Sequence, residues 1–394
     1  LNFQFAGFSF LYICCMITRD KEKEIRKYLR HFPAVAITGP RQCGKSTLAK
    51  SIIARVKGAV YIDLEDPEDR VKLNDPSLFL AQHLGKLVCF DEVQFMPELF
   101  RVLRSTIDKV KKNGLFLLLG SASPELLRQT SETLAGRIVY TELAPFTLTE
   151  SVNIKGGMQR LWLRGGFPGS LMAKQEQLSM VWRKNFIRTF LERDLSAFGI
   201  GVAPENMRKF WMMCAHLHGQ FLNLSNLGNS LGISHSTVKT YVDIMTNTYM
   251  VRKLEPYYVN IDKRLKRSPK IYLSDTGLLH ALLNISGTSD LLSHPVAGFS
   301  WEGFVLNQLT YSLSGWKFFY ATTADQAEID FILKKGKRVV AIECKLAKAP
   351  SVTKGFYYLL NDLKIKEAYV CSPIEGSFPL GKGVEAIGRA DLIK

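Results

Sequence analysis

Gly39-Pro40-Arg41-Gln42-Cys43-Gly44-Lys45-Ser46 decides the fold of this chain. It fits G-x-x-x-x-G-K-[S/T], placed between a short apolar run, Ala34 to Thr38, and a helical stretch that begins at Lys45. Backbone N–H groups of such a loop converge on phosphate oxygens, and the following helix adds its positive N-terminal end. Gly39, Pro40, Arg41, Gln42, Cys43, Gly44, Lys45, Ser46 and Thr47 are therefore the candidate phosphate-binding residues. For ATP, Lys45 would contact the β- and γ-phosphates and Ser46 would ligate Mg²⁺.

Outward from this loop, short apolar runs recur at Ala59–Ile62, Leu87–Phe90 and Leu115–Leu119, with helical stretches between them. That alternation predicts an α/β core with a parallel sheet covered on both faces. Arg137–Leu143 is a candidate fifth strand, and Pro145 begins the exit; a charged helix with Ile25, Tyr28 and Leu29 at helical spacing precedes the first strand. The run Leu87-Val88-Cys89-Phe90-Asp91-Glu92 places two acids at the carboxyl end of a strand, the edge where open α/β sheets bind ligands. Asp91 would hold Mg²⁺, and Glu92 would orient and deprotonate the attacking water. The plainer alternative is a surface Asp-Glu pair opening a loop. No guanine-reading N-K-x-D run is present, which argues against a GTPase.

With Thr38-Gly39-Pro40-Arg41-Gln42, Asp91-Glu92-Val93-Gln94, Gly120-Ser121-Ala122-Ser123 and Leu134-Ala135-Gly136-Arg137, the chain resembles AAA-type P-loop ATPases of a branch common in archaea and bacteria. The resemblance runs from about Thr18 to the end. It implies ATP hydrolysis, with Ser121 as the polar sensor of the γ-phosphate and Arg137 as an arginine finger or sensor. A finger acting in trans implies a homo-oligomer. Physically, Ser121 is equally consistent with a strand-end turn and Arg137 with a surface charge. Arg164-Gly165-Gly166-Phe167-Pro168 and Glu192-Arg193-Asp194 also look like blocks of that family, with no role legible in the residues.

Residues 150 to 217 read as helical, with Trp182, Phe186 and Phe190 four apart. In the segment Leu224–Ser234, Ser225 can cap one helix and Ser234 the next, with Gly232 in the turn. The second helix carries an apolar face (Val238, Tyr241, Val242) and a small polar face, the layout of a DNA-reading helix. It resembles a winged helix, a module that also serves for internal packing. Lys263, Arg264, Lys266 and Arg267 follow and could track phosphates.

Near the C-terminus, Glu328–Leu333 reads as a strand, Lys335-Gly336-Lys337 as a hairpin turn, and Val339–Lys345 as the returning strand. Alternation puts Glu343 and Lys345 on one face, and Asp330 lies on the adjacent strand. Charges inside apolar strands cost several kcal/mol unless paired or metal-bound. The spacing D-x12-E-x-K resembles the PD-(D/E)xK nuclease superfamily, with Ile329 where a proline frequently stands. That resemblance implies a second Mg²⁺ or Mn²⁺, phosphodiester hydrolysis, and Glu302 as the helical glutamate completing the site. A structural ion pair in a degenerate nuclease fold is the other reading.

The chain has 394 residues and a formal net charge of +16, an excess that suits a polyanionic partner such as DNA as well as a solvated basic surface. Seven cysteines, with no metal-ligand spacing, fit reduced thiols in a cytosol. Residues 1–15 are apolar and too short to span a bilayer; they read as upstream frame before Met16, or as an anchoring segment. A cytoplasmic location without membrane partners is expected. The expected organisation is a leader (1–15), an AAA-type core (16–150), a helical lid (151–217), a winged helix (218–270) and an endonuclease-like domain (271–394).

Overall fold

The computed structural model describes residues 17–121, 134–197, 200–257, 268–323, 327–381, 383–388 and 391. The chain divides into two compact units, Leu1–Gly157 and Met158–Lys394.

In the first unit, β1 (Ala34–Thr38), β2 (Val60–Asp63), β3 (Val88–Asp91), β4 (Phe116–Gly120) and β5 (Ile138–Glu142) form a sheet in the order β2-β3-β4-β1-β5. Every pairing is parallel. Such a sheet needs cover on both faces, and its central strands are buried throughout: every residue of β1, β3 and β4 is enclosed, including the terminal Thr38 and Asp91. Helix Leu99–Val110 supplies part of the cover with Leu99, Phe100, Leu103 and Ile107, buried at a spacing that keeps one stripe inward. These side chains meet Phe90 and Phe116 in one cluster, each worth roughly 1.5–3 kcal/mol on burial. The order has a consequence for chemistry. Because β4 lies between β1 and β3, its last residues stand between the ends of the two strands that carry the phosphate loop and the acids.

The second unit begins with helices Gly157–Arg164, Pro168–Leu171 and Glu176–Thr189; a π-type turn, Phe190–Asp194, continues the last of them. Arg164-Gly165-Gly166-Phe167-Pro168, mute in the sequence, forms a clasp here. Gly166 N–H donates to Asp275 Oδ2 at 2.7 Å, and Asp275 Oδ1 caps the helix Thr276–Leu282 through Leu278 N–H at 2.9 Å. Gly165 has φ +74, and a Cβ there would lie 2.0 Å from Asp275 Oδ1, so neither backbone nor space admits a side chain. Arg183, fully buried, donates to Leu163 O and Gly277 O and pairs with Glu176 at 2.9 Å.

Helices Leu224–Leu231 and His235–Asn247 follow, joined through Gly232 at φ +66. Ser234 caps the second helix as expected, but Asn223, not Ser225, caps the first, its side chain accepting from Asn226 N–H at 3.0 Å. Val238, Tyr241 and Val242 face inward, while His235, Ser236, Lys239 and Thr240 are exposed. The basic cluster Lys263, Arg264, Lys266 and Arg267 lies outside the described residues.

The remaining strands are β6 (Gln220–Phe221), β7 (Val251–Pro256), β8 (Lys270–Leu273), β9 (Lys317–Thr322), β10 (Glu328–Lys335), β11 (Arg338–Cys344), β12 (Glu367–Cys371), β13 (Ser377–Gly381) and β14 (Val384–Ile387). They form one sheet in the order β13-β14-β12-β11-β10-β9-β7-β8-β6. The sheet is continuous because β7 pairs with β9 through Glu255↔Phe319 and Pro256↔Tyr320. Helix Ala297–Ser312, buried along most of its length, belongs to this same unit.

Candidate nucleotide site and a buried charge cluster

The loop after β1 takes left-handed or otherwise positive φ at Gly39 (146°), Gln42 (60°) and Gly44 (102°). Such alternation turns successive N–H groups into an anion-binding nest, which continues into helix Lys45–Ile53. A Cβ at Gly39 would stand 2.2 Å from Leu143 O, so the loop passes too close to the backbone just beyond β5 for any side chain. Lys45 is buried, its ammonium donating to Gly39 O at 3.1 Å, Pro40 O at 2.9 Å and Ser121 Oγ at 3.0 Å. Burial pushes the Cys43 thiol up, and its Sγ donates to Leu143 O at 3.3 Å. Arg41 pairs with Glu65 at 2.9 Å; Gln42 and Thr47 are exposed and Ser46 is half-buried.

Ser121 ends the extended run of β4 and bridges the two halves of the site. It accepts from Lys45 and donates to Glu92 Oε1 at 2.9 Å. Glu92 sits at φ 53, ψ 51, a conformation unusual for a residue with a side chain, and its other oxygen accepts from Gln94 Nε2 at 2.5 Å. Asp91, 2% exposed, accepts Glu92 N–H at 2.9 Å and the phenol of Tyr61. Arg137 is placed elsewhere in the unit: its guanidinium grips Asp108 at 2.7 and 3.2 Å, a fork-to-carboxylate pair on the surface. The donors fit a magnesium nucleotide: a nest and a buried lysine for phosphates, and a hydroxyl and a carboxylate for a hard cation.

Sequence reasoning missed three residues here. Arg19 locks the back of the loop, donating to Cys43 O at 2.9 Å, pairing with Glu150 at 3.0 Å and covering the Phe146 ring at 4.9 Å. Tyr61 touches Asp91, and Gln94 holds Glu92. Only Gln94 stood inside a recognisable block; the other two reach the site through tertiary contact.

In the second unit β10 pairs with β11 from Phe331↔Ile342 onward, and just before that pair Asp330 Oδ2 accepts from Cys344 N–H at 2.8 Å, which brings Asp330 beside the end of the strand that carries Glu343. Glu302, Asp330 and Glu343 are each buried to below 10% exposure. Burial pushes the Asp330 carboxyl well above the usual range, and the charges of Glu343 and Glu302 push it further. Burial also raises Glu343, against the pull of Lys345, whose ammonium lies 2.7 Å from Glu343 Oε1. A residue absent from the sequence reading dominates the cluster. Lys270 of β8, 3% exposed, pairs with Glu302 at 3.2 Å and with Glu328 at 2.5 Å, and Tyr272 donates to Glu302. Burial works against the Lys270 ammonium, but Glu302, Asp330 and Glu328 outweigh it and raise its pKa. The second Mg²⁺ or Mn²⁺ implied by the D-x12-E-x-K spacing does not fit this arrangement. Among the described residues no three His, Cys, Asp or Glu side chains are placed to hold a metal, and Lys270 already neutralises Glu302.

Parallel sheet, nest and bridged acids define a P-loop core of the AAA type. Residues 31–152 match the AAA domain model, residues 156–289 and 297–392 match two domains of unknown function (DUF8612 and DUF4143). The chain is 40% identical over 383 residues to the uncharacterized protein Rv2008c of Mycobacterium tuberculosis, covering 97% of this chain and 86% of that one. It belongs to that protein's family. An uncharacterized protein of Haemophilus influenzae is 24% identical over 307 residues, 73% of this chain and 72% of its own. A solved Walker-type ATPase of Pyrococcus abyssi superposes with a TM-score of 0.49 at 14% identity, over 68% of this chain and 96% of that one. Among the described residues no helix is long and apolar enough to cross a membrane.

Proposed function

We propose that the chain binds and hydrolyses Mg²⁺-ATP in its first unit and that nucleotide state controls how the second unit engages DNA. The observation that carries the hydrolytic part is the bridge Lys45–Ser121–Glu92. It ties the residue that would hold the terminal phosphates to the carboxylate that would take a proton from water, through a hydroxyl able to sense what lies between them. Bound Mg²⁺ would neutralise the phosphate oxygens, with Ser46 and Asp91 as its protein ligands. The test is ATP turnover by wild type, Lys45→Ala and Glu92→Gln. Lys45→Ala should abolish binding. Glu92→Gln should bind ATP normally and lose about a hundredfold or more in kcat, the usual worth of a general base. A Glu92→Gln variant with wild-type turnover would remove Glu92 from the role.

DNA engagement rests on the net charge of +16 and on the exposed His235, Ser236, Lys239 and Thr240 of a helix entered through a capped turn. In this reading residues 151–217 serve as a lid, 218–270 as a winged helix and 271–394 as an endonuclease-like domain. Arg137 would exchange Asp108 for a neighbouring protomer's phosphate, so turnover per chain should rise with protein concentration. Salt-dependent DNA retention and plasmid nicking, with Mg²⁺ or Mn²⁺, with and without ATP, for wild type and Asp330→Ala, test the rest.

Lys270 favours a second reading, in which the C-terminal fold no longer cleaves and serves as a nucleotide-controlled binding module. A tethered ammonium among three acids does part of the charge balancing that a metal would do. Binding without nicking under every condition is the outcome this reading expects.

A further inference from the structure

We propose that the Tyr61 phenol is a placeholder for the nucleotide's metal, holding the Asp91 carboxylate when no nucleotide is bound and giving it up when the cation enters. This rests on the nucleotide-site reading above. The Tyr61 hydroxyl donates to Asp91 Oδ2. The phenol thus occupies one oxygen of the carboxylate that would help hold a Mg²⁺ ion. Mg²⁺ requires near-octahedral oxygen ligands at about 2.0–2.1 Å, so the Asp91 oxygen would have to turn from the phenol to the cation. The two occupants are therefore mutually exclusive.

The fold explains why this tyrosine can do it. Tyr61 lies on β2, paired in register with Cys89 of β3 and two residues before Asp63, which pairs with Asp91. Side chains in register on parallel strands share a face, so the ring runs along the sheet toward the Asp91 carboxylate. The Lys50 ammonium, from the helix that follows the phosphate loop, lies 4.6 Å from the ring centre and steadies it in this position. Tyr61 is half-buried, not fully enclosed, so its ring has a side open for a rotamer change. Asp63, whose carboxyl burial raises, adds a further acid beside Asp91 and makes a neutral donor preferable to a second anion there.

Tyr61 is thus a positioning residue, and its effect should appear in metal dependence instead of in phosphate affinity. The experiment is fluorescence titration of the full chain with mant-ADP, first in EDTA and then across a Mg²⁺ series, for wild type and Tyr61→Phe. The substitution removes one oxygen and keeps the ring. In EDTA the two proteins should bind mant-ADP within twofold of each other. Half-saturation by Mg²⁺ should require about tenfold less metal in Tyr61→Phe, because a hydrogen bond to a charged carboxylate no longer competes. Adding Mg²⁺ to the wild-type complex should also produce a tyrosine ultraviolet difference signal that Tyr61→Phe lacks. An unchanged Mg²⁺ requirement, with normal mant-ADP binding, would overturn the placeholder alone. A higher Mg²⁺ requirement in Tyr61→Phe would make the phenol a support for the metal, also against the proposal. Failure of wild type to bind mant-ADP in either condition would overturn the nucleotide site itself.

Discussion

Replacing Gly165 with alanine should cost the second unit about 4 kcal/mol. Two effects combine. Alanine at φ +74 carries roughly 1–2 kcal/mol of left-handed backbone strain. Its Cβ would stand 2.0, 2.4 and 2.5 Å from Asp275 Oδ1, Oδ2 and Cγ, so the carboxylate must move. Moving it breaks the bonds to Gly166 N–H at 2.7 Å and Leu278 N–H at 2.9 Å, each worth roughly 1.5–3 kcal/mol because the acceptor is charged. Asp275 is 6% exposed and burial raises its pKa to about 6, so it is ionised at pH 7.5 and its loss of partners is felt in full. Partial relaxation of the loop trims the total to about 4 kcal/mol, a large part of the 5–15 kcal/mol of an ordinary domain. All five tryptophans (162, 182, 211, 301 and 316) belong to this unit, so urea unfolding followed by tryptophan fluorescence reads it selectively. A midpoint shift equivalent to less than about 1 kcal/mol at unchanged m-value would refute the clasp.

Further predictions follow from the other buried groups. Ser121→Ala cuts the Lys45–Glu92 bridge and should lower ATP turnover about tenfold while leaving mant-ADP affinity within twofold; equal losses in both would mean a purely structural serine. Lys270→Met leaves Glu302 and Glu328 without their cation and should destabilise the unit by about 3 kcal/mol at pH 8. That deficit should shrink toward pH 5, since the Asp330 carboxyl, already raised by burial, loses the lowering pull of Lys270 and its protonation then favours the folded form; a pH-independent deficit would argue against it. His280 is fully buried between Leu163 O at 2.8 Å and Ser300 Oγ at 2.7 Å, and burial lowers its pKa from 6.5 to about 3. Its contribution is therefore complete above pH 6.5 and fades as pH falls toward 3. The stability advantage of wild type over His280→Gln should drop by about 1.4 kcal/mol per pH unit below 6.5, as read by urea titration across pH.

The phosphate loop was legible in the sequence because its chemistry is local: an apolar strand, two glycines, a lysine and a helix start within a dozen residues. Asp91 and Glu92 were legible for the same reason, as acids that end an apolar run. Ser121 joins them only because β4 is laid between β1 and β3, an order that no short segment announces. Arg19 acts on Cys43 and Glu150, and Lys270 on Glu302 and Glu328, across gaps in the chain where periodicity carries no information. The clasp shows the limit well: Gly165 is required by Asp275, whose carboxylate comes from a helix cap far along the chain. Glu343 and Lys345 were placed on one face by alternation alone, yet the cation that balances their neighbours Glu302 and Glu328 comes from β8.

The narrow join between β7 and β9 gives the second unit a line of mechanical weakness. Two residue pairs hold it, together with the bond from Tyr257 N–H to Tyr320 O at 2.8 Å. Lys270 lies on one side of that join, on β8, and its partner Glu328 lies on the other, on β10. The Lys270–Glu328 ion pair therefore acts as a rivet across a seam only two residue pairs wide. Pulling on the helix His235–Asn247, which packs on β7, would load the rivet before it loaded the strands beyond.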